Sequence, residues 1–185
     1  YAGQIPIPAA SGNTHLARFS GVSSAQAGTL VLCDRLWHNS GFTITSTGAQ
    51  TVNSVAFPAR DKNGSTNGVG VFLGVEISTA TGAGTPTITV SYTNDAGTAG
   101  KTATNSVATV ASSAIGTFYP IGLAAGDTGV RSVQTLTLSA TWTSGTMHLV
   151  AYRPIATLTF PAAGLGDAID ALTSGLPRCY DNTVP

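Results

Sequence analysis

Three histidines (His15, His38, His148), two cysteines (Cys33, Cys179), seven aspartates and one glutamate carry the familiar chemistry of metal ligation and acid–base catalysis in this 185-residue chain. The histidines show no HxH or HxxxH spacing and the cysteines no CxxC, so neither set spells a zinc site. Asp167 and Asp170, three apart, would share one side of a helix. Capping and solvation account for them better than a hydrolase, because a glycosidase pair needs two supported carboxyls several ångströms apart across a substrate. Asp61, Asn63 and Ser65 alternate as oxygen ligands do in a calcium loop, but the position that should supply the closing carboxylate is Phe72. A polar Asx-rich turn is the better reading of residues 61–67. Gly68, Gly70 and Gly74 supply the glycines of a phosphate loop but open a strand, which removes the helix N-terminus that would hold the phosphate. No catalytic, cofactor-binding or metal-ligating residue is assigned, and no enzymatic activity is expected.

Composition narrows the function from another side. Charged residues are 9% of the chain against about 25% in an average soluble domain, while apolar residues reach 42%. Eight basic residues balance eight acidic ones, so the chain has no electrostatic footprint for nucleic acid or an anionic membrane. With 28 Thr, 17 Ser and 22 Gly, the composition is that of a hydroxyl-rich β-protein. A chain near zero net charge lacks the repulsion that keeps copies apart, which suits an assembly. Six of the eight cations are Arg, the cation enriched at interfaces. The first residues, Tyr1 to Pro8, carry no Met, basic region or apolar run, which suggests a numbering that begins inside a longer product or after processing.

The elements that would position any site read as short strands. Residues 1–27 are an irregular mixture of Pro, Ala, Ser and Gly, expected to form an extended N-terminal arm lying across a neighbour. Strand chemistry follows over 29–33, 42–47, 51–57, 69–78, 87–93, 98–104, around Val107 and Val110, 117–121, 133–142 and 147–152, with 158–160 extending the sheet beyond Pro154. In 87–93, Ile88, Val90 and Tyr92 define one face; in 133–142, Gln134, Leu136, Leu138, Ala140 and Trp142 define the inner one. Leu165, Ile169 and Leu172, with Asp167 in the first turn and Gly175 past the end, predict one short helix of about ten residues from Gly164. The fold class is therefore all-β, a sandwich or jelly roll of about 8–10 short strands with extended N- and C-terminal arms and one short C-terminal helix. The expected division is an arm over 1–27, a β-sandwich domain over 28–162, and a helix with an extended tail over 163–185.

Several stretches taken together carry a resemblance: residues 32–41 (LCDRLWHNSG), 56–65 (AFPARDKNGS), 76–82 (EISTATG), 123–133 (LAAGDTGVRSV), 147–154 (MHLVAYRP) and 178–182 (RCYDN). As a set they resemble a family of small structural proteins encoded among the virion genes of tailed bacteriophages. The resemblance spans the chain from about residue 28 onward and contains no catalytic motif. It implies a non-enzymatic virion component, foremost a capsid decoration or cement protein on the phage head surface, with the major capsid protein and copies of itself (a trimer or dimer) as partners, and with neither nucleic acid nor membrane.

For that role Arg18, Arg35, Trp37, Arg131, Arg153 and Arg178 are the candidate interface anchors, since Arg and Trp dominate protein–protein hot spots. A neck or tail location is the alternative within the same class. A different class is a carbohydrate-binding head domain of a fibre or spike, with Trp37, Trp142, Tyr92 and Tyr152 as a stacking platform and Asp61 as a polar partner.

Overall fold

A computed structural model describes residues 12–53, 55–175 and 177–180. The chain is all-β and sandwich-like, built around a large curled antiparallel sheet. In chain order the strands are β1 (Thr14–His15), β2 (Arg18–Val22), β3 (Gly28–Asn39), β4 (Gln50–Thr51), β5 (Phe72–Thr79), β6 (Ile88–Asn94), β7 (Lys101–Asn105), β8 (Phe118–Gly122), β9 (Val130–Leu138), β10 (Thr146–Phe160), β11 (Gly166–Asp170) and β12 (Arg178–Cys179), with a single turn of helix, α1 (Ala171–Ser174), before the last. The main sheet has the order β3-β10-β5-β8-β7-β6-β9-β4, while β1 pairs with β12 and β2 with β11.

Two compact units divide the chain. The first comprises Tyr1–Asp34 and Pro154–Pro185, and the second Arg35–Arg153. Strands β3 and β10 each contribute residues to both. The second unit holds the principal core, where Leu73, Val75 and Ile77 of β5, Leu149 of β10, Ile88, Val90 and Tyr92 of β6, and Leu136 and Leu138 of β9 are all at most 1% exposed. Strand β6 follows its sequence pattern residue for residue, with Ile88, Val90, Tyr92 and Asn94 inward and the hydroxyls between them half-buried.

Strand β9 departs from its pattern at one point. Ser91 faces Thr135 but Tyr92 faces Val133, so Gln134 is an extra residue in a bulge. The bulge turns Val133 inward with Leu136 and moves Gln134 out of the expected inner face, where its amide donates to the hydroxyls of Thr93 and Ser132. Ala140 and Trp142 lie beyond the strand; Ala140 is exposed and Trp142 is fully buried, its indole N–H donating to the Val110 carbonyl. Strand β10 runs through Pro154 instead of restarting after it. Its pairing with β5 ends at Tyr152, so the missing N–H of Pro154 falls beyond that ladder.

The expected strands over 42–47 and 51–57 are mostly loop, with only Gln50–Thr51 paired, and 107–110 is loop as well. Phe42, Ile44, Val52 and Phe57 nevertheless fill the core from those loops, so their apolar content served burial without a ladder. The first unit corrects the helix. Residues 166–170, expected to be helical, form β11 against β2, and only 171–174 are helix. Leu165 and Leu172, meant for its buried stripe, are 53% and 95% exposed. A pattern of three apolar residues at helical spacing cannot compete with a five-residue ladder that satisfies the backbone. Within the expected arm, 14–15 and 18–22 are strands paired to the C-terminal end of the chain; residues 1–11 lie outside the described region, as do 181–185 of the tail.

Candidate interaction surface

Most of the polar side chains singled out by sequence serve the fold. Asp61 is 1% exposed, and its two carboxylate oxygens accept from the Asn63, Ser65 and Val69 N–H groups and the Ser65 hydroxyl at 2.7–3.0 Å. Burial alone would raise the Asp61 carboxyl, but these donors outweigh it and hold it below the usual carboxylate range. Four donors leave no oxygen facing out for a cation, so the loop is the Asx-type turn that its sequence suggests. Gly68 closes it in the left-handed region at φ +80°, where a Cβ would lie 1.8 Å from the Val130 carbonyl oxygen. Gly68 thus lets two backbones approach each other, whereas Gly70 and Gly74 lie against the Lys62 and Phe118 side chains.

Asp167 and Asp170 also resolve structurally. Three apart on a strand, they fall on opposite faces. Asp167 accepts from the Thr159 and Ala168 N–H groups, and Asp170 accepts from the Leu172 N–H at the start of α1, as a helix cap does.

The expected sugar platform is not assembled at the surface. Trp37, Trp142, Tyr92 and Asp61 are each at most 8% exposed, leaving only Tyr152 on an accessible face. Tyr92 is instead the centre of a buried network. Its hydroxyl donates to Asp127 at 2.6 Å and accepts from the Ala124 N–H, while the Asn94 amide donates to the other Asp127 oxygen and Lys101 lies 3.5 Å away. Burial, then the Asp127 contact, pushes the Tyr92 hydroxyl up to about 12. The Tyr92 and Asn94 donors hold the Asp127 carboxyl below its ordinary range.

The outer face of the sheet over β8, β5 and β10 is half-buried, with Phe118 36% exposed and Val150 fully buried. Period-two geometry places Phe72 and Glu76 of β5, His148 and Tyr152 of β10, and Phe118 of β8 on the face opposite the core. Gly74 at the centre leaves room for the Phe118 ring. A Cβ there would lie 2.1 Å from the Phe118 ring, which rests directly over the backbone. Phe72, Phe118 and Tyr152 form a triad with ring centroids 5.9–6.3 Å apart. The Tyr152 hydroxyl donates to Glu76, Arg35 pairs with Glu76 at 3.3 Å, and the Arg35 guanidinium sits 6.0 Å from the Tyr152 ring centroid. His38 and His148 stack beside them at 5.9 Å. Burial, then the neighbouring Arg35 and His148, holds the His38 imidazole below its usual range.

Of the six candidate anchors, only Arg35 belongs to this surface. Trp37 is 8% exposed and packs on Phe57; Arg153 is 5% exposed. Both are too buried in the monomer to meet a partner directly. Arg131 donates to Asn67 and to the Asp95 carbonyl, bracing two loops. In the other unit, Arg18 is exposed on β2 in register with Asp170, and exposed Arg178 lies 4.6 Å over the Tyr180 ring. Sequence reasoning missed Phe72, Glu76 and Phe118, which lie on two strands far apart in the chain. The available signal was the position of Phe72, Gly74 and Glu76 opposite the apolar Leu73, Val75 and Ile77.

Among the described residues no cluster of three or more His, Cys, Asp or Glu could hold a metal ion, and no helix is long and apolar enough to cross a membrane. Comparison of the chain with protein-family models, characterised proteins and solved structures finds no match.

Proposed function

We propose that this chain is a structural, non-enzymatic component of a tailed-bacteriophage virion, a decoration or cement protein that binds the head shell and stabilises it. The observation that carries this reading is the outer face of β8, β5 and β10. Three aromatic rings lie beside an Arg–Glu pair, and aromatic residues and Arg are enriched in protein–protein hot spots. They stand on hydrogen-bonded strands, so a partner need not order them, and binding loses little conformational entropy. The other polar side chains support the same reading, because Asp61, Asp127 and Tyr92 are engaged in holding the body together. The resemblance over residues 28–182 supplies the shell as the partner, and the low charge of the chain suits a place in a dense assembly.

Shells prepared without this chain provide the test. Adding the purified chain is expected to decorate them saturably and to raise the temperature at which they open. Replacing Phe118 and Tyr152 by Ala together should weaken that binding while leaving the fold intact. Shells that take up none of the chain, or take up the double variant as well as the wild type, would overturn the reading.

A further inference from the structure

The two edges of the main sheet are built differently, and the difference points to a second interaction site. At one edge stands β4, two residues long, which offers an incoming strand almost nothing to pair with. At the other stands β3, twelve residues long and paired, among the described strands, with β10 alone. Edge strands of such length are ordinarily protected by Lys, Pro or an inward charge. Here the whole stretch 19–33 contains no charged residue and no proline. Residues 28–31 are all exposed, and because successive side chains point to opposite faces, Leu30 at 47% and Val31 at 43% show that neither face of the strand is covered. Beside this edge an open groove of about 430 Å³ is lined by residues 22–30 and by Phe160, with Val22 62% exposed at its rim.

We propose that residues 28–33 of β3 form a homotypic docking edge, pairing antiparallel with the same strand of a second copy and joining the two sheets across a two-fold axis. The occupant follows from three features. An open strand edge offers alternating N–H and C=O groups, and its best complement is another extended strand. An antiparallel pair of identical strands is self-complementary, as a two-fold contact requires. The formal net charge is zero and the local charge is zero over fifteen residues, so two copies approach without repulsion. Val22 and Leu30, exposed in one copy, would be covered in the pair. The inference sharpens the association with copies of itself that the resemblance implies, but it concerns the isolated chain and can fail while shell binding stands.

The test is the oligomeric state of the full chain by sedimentation equilibrium from low to high micromolar concentration. The wild type is expected to dimerise. The double variants L30K/V31K and L30E/V31E, at exposed positions that leave the core untouched, are each expected to weaken dimerisation about tenfold or more, because like charges face each other across the new ladder. An equimolar mixture of the two should restore the dimer. Amide hydrogen exchange on the wild type gives a readout independent of any variant: protection of residues 28–33 should rise with concentration. A wild type that stays monomeric throughout, a dimer unaffected by either charge pair, or a mixture that stays monomeric although both variants melt like the wild type would overturn the proposal. Protection of 28–33 that appears only when shells are added would assign the edge to a shell protein and equally overturn a second copy.

Discussion

The Arg35–Arg153 unit closes a polar network around the principal core, whereas the unit formed by the two ends of the chain contributes no residue to that core. In the first, Asp61, Asp127, Asn94 and Tyr92 are engaged in internal hydrogen bonds, and the inward side chains of the core strands are fully buried. In the second, Val22, Leu30, Val31, Leu165 and Leu172 are all more than 40% exposed, as are Val55, Val107, Val110 and Ile115 on loops of the first, but the principal core cluster draws on the first unit alone. A closed polar network fixes one unique body, since every buried donor or acceptor left unmatched would cost about 1–3 kcal/mol. Exposed aliphatic residues contribute nothing to a monomer's stability; they matter only when something covers them. The contrast separates a body with a closed core, which also carries the face of β8, β5 and β10, from ends whose long strand edge stands open.

The largest effect that could break this contrast lies in the core. Leu149→Ala, at a fully buried position, is expected to cost about 3 kcal/mol of unfolding free energy in denaturant titrations. Asp61→Ala should cost roughly 2–3 kcal/mol, because four donors lose a charged acceptor at once, although no apolar contact is removed. Tyr92→Phe follows at about 1 kcal/mol, leaving Asp127 with its Asn94 and Lys101 partners. Leu172→Ala, at the far end of the contrast, should change stability by no more than about 0.5 kcal/mol. If the Leu172 and Leu149 variants melted alike, the division between a closed body and open ends would be wrong.

Acid sharpens the same comparison. The Asp61 and Asp127 carboxyls are held below their ordinary value of 3.8, so the stability they contribute is present above that pH and is lost as pH falls through their lower folded values. Asp61→Asn is therefore expected to flatten the fall of melting temperature below pH 3.8 relative to wild type, with little change in slope at pH 5–7. An unchanged acid slope would remove Asp61 as its source. His38 acts at milder pH with the same sign. Its imidazole is held below 6.5, so its contribution is present above that value and is lost as it protonates, an effect that His38→Gln should abolish.

Much of this was legible in the chain itself. The alternation in 87–93 specified a strand and its inward face, and that in 147–152 specified a strand, because side chains in a strand have a strict period of two whatever the neighbours are. The polar turn at 61–67 was equally local, since its ligands and its donors lie within eight residues of each other. Scarce charge, balanced in sign, already argued against a nucleic-acid footprint.

Other features depended on partners distant in sequence. Residues 166–170 became a strand because β2, about 145 residues earlier in the chain by its register, offered a ladder that outweighed a weak helical stripe. Trp37 and Arg153 have the side chains of interface residues, but burial, which no residue type reveals, placed them inside. The outer aromatic face exists because strand order brings β8, β5 and β10 side by side and Gly74 leaves room for the Phe118 ring. The residues themselves determined the periodicity, the turns and the charge. Strand order, burial and the choice of open edge were decided by long-range pairing, in which each backbone ladder forms where it satisfies the most hydrogen bonds and covers the most apolar surface.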